Sequence, residues 1–378
     1  MSLIVDEHRE YLSDAVRLEA LAAGIREVVA PGSVVLDLAS GTGILGLLAC
    51  RAGAGRVYSV EMTGLIEVAR QLAAANGYAD RVRFVRGLST QIALPEQVDA
   101  IVCDQIGHFG FEAGLLEYVG DARRRFLRPG GRIVPSRVDL FVGPVESAEL
   151  SAQVEFWTQP VAGFDVSPAR RWAAHTGYPT ALQAGALLSR GVYALSLDTS
   201  VADSSAFSFE VTSIVERRGT LHGIGGWFHA ELAPSVTLSN APTASPRVGR
   251  RNVFFPIDRP VDVVPGDRVD VRMHIVPSES LVTWTVDVGR SGTRTAHARH
   301  STLHGMLLSR EDLKRTSPTF VPALTPRGVA RRSVLELCDG RRTLDEVERE
   351  VRARHSNLFA SHDEAAVFVA EVVTRYAE

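Results

Sequence analysis

Residues 34–49 read VVLDLASGTGILGLLA, and residues 57–61 read VYSVE. The unbroken apolar run predicts a buried strand, the glycines at 41 and 43 a tight turn, and the apolar spacing beyond them a helix. The second run predicts a neighbouring strand that ends in an acid, Glu61. Strand, glycine turn, helix and acid-tipped strand, in that order, form the carboxyl edge at which a parallel sheet receives a nucleotide-type ligand. Glycine suits the turn because a Cβ there would collide with the ligand. Glu61 can accept hydrogen bonds from two ribose hydroxyls. The loop reads D-L-A-S-G-T-G and not G-x-G-x-x-G, which argues against a pyrophosphate resting on the helix N-terminus.

The α/β alternation extends on both sides. A helix is expected over 14–29, stopped by Pro31-Gly32, and another over 64–75 behind Thr63 as N-cap. Strands are expected at 82–85 and 100–103, and L-R-P-G-G at 127–131 reads as a turn into a strand at 132–134. This is a Rossmann-like domain over residues 1–135. After Pro135 the period becomes two: Val269, Val271, Met273 and Ile275 alternate with polar residues, as do Val282, Trp284, Val286 and Val288. Half-buried antiparallel strands have that pattern, so residues 136–308 are expected to form a β-barrel or sandwich, interrupted at about 151–190 by a helical arm. From 309 to 378 the period is helical again, and Thr343-Leu-Asp-Glu346 is a capping box, so a small helical or winged-helix module is expected.

A chain of 378 residues exceeds what one core usually organises. Its net charge of −3 argues against a protein that wraps nucleic acid. Arg123-Arg124-Arg125 and Arg250-Arg251 read as solvated faces. The three cysteines, Cys50, Cys103 and Cys338, lie far apart in apolar contexts with neither disulfide nor metal-ligand spacing, so no metal site is expected. No apolar run is long enough to span a bilayer, and a cytoplasmic protein without a membrane partner is expected.

Several strings resemble the protein arginine methyltransferases. Asp37 to Ile44 matches the first motif that this family shares with other class I methyltransferases binding S-adenosyl-L-methionine. The segment HREYLSDAVR at 8–17 resembles the family's H-x-x-M-L-x-D-x-x-R, with which it covers that cofactor. The resemblance implies cofactor contacts from His8, Arg17, Asp37, Ala39, Ser40, Gly41, Gly43, Ile44, Glu61 and Met62, with Arg17 paired to the cofactor's carboxylate as its planar fork allows. It also implies adenine contacts from Leu88, Ser89 and Thr90, the last standing where the family has an acid. Phe156-Trp157 and Gly163-Phe164-Asp165 resemble the start of the family's dimerisation arm, which implies a homodimer.

CDQIGHFGFEAGLL at 103–116 resembles the family's double-glutamate hairpin, in which two carboxylates clamp a guanidinium. Here they would be Asp104, one methylene shorter, and Glu112. Methyl transfer needs a positioned, unprotonated nucleophile, and one of these acids, or His108, could take its proton. Arg247 to Gly249 stands where the family has T-H-W. Residues 331–347 resemble the peptide chaperone of the pyrroloquinoline quinone pathway, whose relatives recognise leader segments of ribosomally made peptides. The two resemblances together imply an N-methyltransferase acting on the terminal amine of a peptide, as in daptide-type pathways, with the precursor held by the C-terminal module. A protein arginine methyltransferase and a catalytically silent scaffold are the alternatives.

Overall fold

Five parallel strands, β1 (Val34–Leu38), β2 (Arg56–Glu61), β3 (Val82–Arg86), β4 (Val98–Cys103) and β5 (Leu127–Val134), form a sheet in the order β3-β2-β1-β4-β5. The structure is a computed structural model that describes residues 4–307, 309–315 and 317–377. The helices of this part are α1 (Ile4–Ser13), α2 (Ala15–Val28), α3 (Ile44–Ala52), α4 (Leu65–Ala75) and α5 (Leu115–Arg125). Asp14 starts α2 by accepting the Arg17 backbone N–H at 3.0 Å. The L-R-P-G-G turn lies within β5: Leu127 pairs Val98 and Arg132 pairs Ala100, so residues 128–131 bulge from the ladder.

The strand order fixes where a ligand can enter. Chain direction around the sheet reverses between β1 and β4, and ligands bind at the carboxyl ends flanking such a switch point. Leu38 lies opposite both Val60 and Cys103, so Ala39, Glu61 and Asp104 emerge side by side at that edge.

The antiparallel part holds β6 (Arg137–Val145), α6 (Ala148–Glu155), α7 (Arg170–Ala174), β7 (Tyr178–Thr180), β8 (Val192–Asp198), β9 (Phe207–Ile214), β10 (Gly219–Ala233), β11 (Val236–Ser239), β12 (Asn252–Val263), β13 (Arg268–Val276), β14 (Leu281–Arg290), β15 (Thr293–Ser301) and α8 (Thr302–Gly305). One sheet runs β7-β12-β10-β6-β8, with β11 on β10, and the other β15-β14-β13-β9. Alternate residues of β13 and β14 are buried, as period two requires. One apolar core runs from the parallel sheet into this barrel-like part, and Phe109 and Phe111, just beyond β4, bridge the two by packing on Phe255 and Phe207, each at 5.8 Å between ring centroids. The loop that carries Asp104 and Glu112 is thereby wedged against the barrel.

The chain divides into two compact units, Met1–Met306 and Leu307–Glu378. The second contains α9 (Arg310–Arg315), α10 (Pro326–Leu337), α11 (Leu344–Arg354) and α12 (His362–Tyr376) around its own core, which includes Ala330, Val334, Val351 and Val369. The Thr343–Glu346 capping box is present. A winged helix would add strands, and among the described residues this unit has none. Cys338 is exposed, against the apolar setting expected for it, while Cys50 and Cys103 are buried. Among the described residues no helix is long and apolar enough to cross a membrane.

Candidate active site

Two cavities open at the carboxyl edge of the parallel sheet. The larger, about 660 Å³, is lined by His8, Tyr11, Arg17, Ala39, Ser40, Ile44, Asp104, His108, Glu112 and Arg250 among others. The smaller, about 260 Å³, is lined by Gly41, Glu61, Met62, Leu88 and Ser89, and shares His8, Ala39, Gln105 and Ala113 with the first. The continuous cleft has an acid-tipped strand at one end and two more carboxylates at the other. Of the residues expected to hold the cofactor, only Asp37, Gly43 and Thr90 line neither cavity.

The glycine loop is built around Glu61. Its Oε2 accepts the Gly41 N–H at 3.0 Å and its Oε1 the Thr63 N–H at 2.8 Å, which leaves lone pairs on both oxygens for ribose hydroxyls. Gly41 has φ +54°, and a Cβ on it would lie 2.2 Å from Cε1 of His8. His8 therefore lies across the glycine turn as a lid, and burial lowers its pKa, so the ring is neutral. Asp37 supports the loop from beneath. It is fully buried, accepts the Gly46 N–H at 2.8 Å through Oδ2, leaves Oδ1 without a partner, and is pushed up to about 7 by burial and by the nearby Glu61.

The larger cavity differs from expectation in what its charges do. Arg17 reaches Asp104: its Nε lies 2.6 Å from Oδ2, and an Nη also contacts that oxygen. Arg250 brings a second guanidinium to the same oxygen, with Nη2 at 2.9 Å. The three side chains are only 9%, 9% and 11% exposed. Glu112 accepts backbone N–H groups of its own loop, from His108, from Phe109 at 2.8 Å and from Phe111 at 3.3 Å, so it organises the turn that presents it. His108 lowers its proton affinity by burial, and its Nδ1 is buried without a partner.

The solvated-face reading of the arginine runs holds for Arg124, Arg125 and Arg251, which are exposed, but not for Arg250 or Arg123. Arg250 is buried on Asp104, and Arg123 donates to the Ala202 carbonyl at 3.0 Å. Sequence reasoning also missed Tyr11, whose carbonyl accepts from Arg17 at 3.0 Å and whose ring lies 5.6 Å from the Arg17 guanidinium carbon. Gln105 and Tyr118, which line the cleft, were missed as well. The place of Tyr11 inside HREYLSDAVR was the available signal; for Arg250 it was only its position beside the 247–249 loop, because its partner lies 146 residues away.

An amide network fixes the wall opposite the glycine loop. Asn240 donates to the carbonyls of His108 and Arg251, each at 2.7 Å, and its Oδ1 accepts the Phe228 N–H at 2.8 Å. Asn252 donates to the Asn240 carbonyl at 2.7 Å, and its Oδ1 accepts from Arg247 at 2.8 Å. Gly249 N donates to Asp14 at 2.8 Å. Loops 104–112 and 247–251 are thus tied to one another and to the start of α2.

A parallel sheet with an acid-tipped second strand, a glycine turn and a charged cleft at its switch point defines a class I methyltransferase. Comparisons with known proteins agree: residues 136–286 match the arginine methyltransferase oligomerization subdomain, and residues 35–131 match a methyltransferase domain. The chain is 31% identical over 259 residues to protein arginine N-methyltransferase 1 of Schizosaccharomyces pombe, covering 66% of this chain and 75% of that protein. It is 30% identical over 273 residues to the arginine N(omega)-methyltransferase of Streptomyces achromogenes, covering 70% and 75%. The Trypanosoma brucei PRMT1 enzyme-prozyme complex with AdoHcy shares the fold, with TM-score 0.69 and 21% identity over 78% of this chain and 97% of that one. The chain belongs to the protein arginine methyltransferase family.

It is accordingly an S-adenosyl-L-methionine-dependent methyltransferase. The residues present fit that cofactor: the glycine turn keeps the strand end open, Glu61 retains lone pairs in the smaller cavity, and the Arg17 guanidinium lines the adjoining larger cavity.

Proposed function

We propose that the enzyme methylates a guanidinium nitrogen of arginine. The observation that carries this is the placement of Asp104 and Glu112 on one cavity wall together with His8, Arg17 and Ser40 of the cofactor cleft. Two acids facing a shared cavity suit a planar cation with several N–H donors, and the named activities of the two relatives favour arginine over a terminal amine. When bound, S-adenosyl-L-methionine supplies a methyl group made electrophilic by its sulfonium. His8, Arg17, Gly41, Glu61, Met62, Leu88 and Ser89 hold it; Glu112 and Asp104 orient the acceptor for in-line attack; and His108, which lines the same cavity, takes the proton. The matched oligomerization subdomain and the exposed Phe156 and Phe164 support a homodimer formed through the arm, which sedimentation analysis tests.

The test of the acceptor is a labelled methyl-transfer assay read by fragmentation mass spectrometry, with internal-arginine peptides, free arginine and peptides with free terminal amines. Label on a guanidinium is expected. Label on a terminal amine alone would replace this reading with peptide tailoring, in which residues 309–378 hold the precursor; truncation after Met306 would then abolish turnover of long precursors but not of short ones.

A further inference from the structure

Asp104 serves three claimants. Arg17 and Arg250 both donate to its Oδ2, at 2.6 Å and 2.9 Å, while Oδ1 is buried without a partner; all three residues line the larger cavity, the one assigned to the acceptor. The two arginines are not equivalent. Arg250 is rigidly delivered, since Gly249 is hydrogen-bonded to Asp14 and the Arg251 carbonyl to Asn240. Its Nη1 also reaches the Gly107 carbonyl at 3.4 Å. Arg17 lines the larger cavity beside His8 and Ala39, which both cavities share, and there the cofactor's carboxylate makes a competing offer for its fork.

We infer that Arg250 is a positioning residue that sets cofactor affinity without touching the cofactor: it shares the charge of Asp104 and so determines how firmly Asp104 holds Arg17. When Arg17 turns to the cofactor's carboxylate, Asp104 would be left as an uncompensated buried anion if Arg250 were not there. Arg250 makes the exchange tolerable, and the place vacated on Asp104 becomes available to the acceptor's cation. Cofactor and acceptor sites are therefore linked through one carboxylate, so each ligand favours binding of the other. The inference rests on the assignment of Arg17 to the cofactor's carboxylate.

Two ligands separate the effects. S-adenosylhomocysteine carries the carboxylate; 5′-methylthioadenosine has the same adenosine and thioether but lacks it. Their affinities are measured by calorimetry on the full chain and on Asp104→Asn, Arg250→Met and Arg17→Met, each checked for folding by tryptophan fluorescence. Asp104→Asn releases Arg17 and is expected to tighten S-adenosylhomocysteine by about tenfold, within the usual range of coupling between sites. Arg250→Met leaves Asp104 clinging to Arg17 and is expected to weaken S-adenosylhomocysteine by a similar factor. Both variants should leave 5′-methylthioadenosine unchanged, whereas damage to packing alone would weaken both ligands. Effects of the same sign in the two variants, or no effect in either, would overturn the inference. If Arg17→Met also fails to change the ratio of the two affinities, the assignment of Arg17 to the cofactor falls with it; if that ratio collapses while Asp104→Asn and Arg250→Met are silent, only the role of Arg250 is lost.

Discussion

Replacing Asp37 by Asn removes one charge from the centre of the first unit and should stabilise the protein at neutral pH. The carboxyl is fully buried, receives one hydrogen bond from Gly46 at 2.8 Å, and is pushed from 3.8 up to about 7, first by burial and then by Glu61. Between those two values the folded chain keeps a proton that the unfolded chain has released, so stability falls as pH rises through the window and levels off above pH 7. At about 1.4 kcal/mol per pKa unit, a displacement of roughly three units corresponds to a loss on the order of 4 kcal/mol. Asparagine keeps an acceptor for Gly46 and never ionises. The assay is urea unfolding from pH 4 to pH 8, followed by tryptophan fluorescence. All four tryptophans, Trp157, Trp172, Trp227 and Trp284, lie in the first unit, so the signal reports that unit alone. Taking the difference between variant and parent cancels the other titrating groups. That difference should grow in favour of Asp37→Asn from pH 4 to pH 7 and then stay flat. A difference independent of pH would refute the reasoning, because it would mean that the carboxyl ionises as readily in the fold as outside it.

Three further outcomes are expected. Gly41→Ala places a Cβ 2.2 Å from the His8 ring at φ +54°, so it should cost about 1–2 kcal/mol in urea unfolding and weaken S-adenosylhomocysteine in calorimetry, with part of that affinity returning when His8→Ala is added. Glu112→Gln turns an amide NH₂ toward the backbone donors of residues 108–111, so methyl transfer should fall by at least tenfold in the labelled assay while S-adenosylhomocysteine still binds; undiminished turnover would end the clamp. His300 is buried on Trp284 at 5.3 Å and held down to about 4 from 6.5, first by burial and then by His175. Stability should therefore drop as pH falls from 6.5 toward 4, and His300→Phe should flatten that limb in the same unfolding series.

The parts of the fold legible in sequence are those fixed by local chemistry. Asp14 starts a helix because its side chain caps Arg17, Thr343 and Glu346 satisfy each other's backbone across one turn, and Gly41 marks a turn closed to any Cβ. Period two exposed β13 and β14 because one face of each is buried. What stayed hidden is long-range. Nothing near Arg250 distinguishes it from a solvated arginine, and it is buried because β10, β11 and β12 bring the 247–251 loop onto the end of β4. Glu112 was legible as an acid in the right loop, but its hydrogen bonds to that loop's amides were not, since they depend on how residues 107–111 fold back. The excursion at 128–131 read as a turn because proline and glycine mark both, and only the pairing of Leu127 and Arg132 with β4 makes it a bulge.

The paired amides of Asn240 and Asn252 have a consequence for how this enzyme could be remade. They grip the 247–251 loop by its backbone and by Arg247 near its two ends, so the loop is held independently of the Arg250 side chain, which reaches Asp104 and the Gly107 carbonyl. A substitution at 250 therefore alters the chemistry presented to the cleft while the scaffold around it stays pinned. Libraries that vary this residue and spare the two asparagines should yield folded enzymes with retuned cofactor affinity at far higher frequency than libraries that vary all of them together.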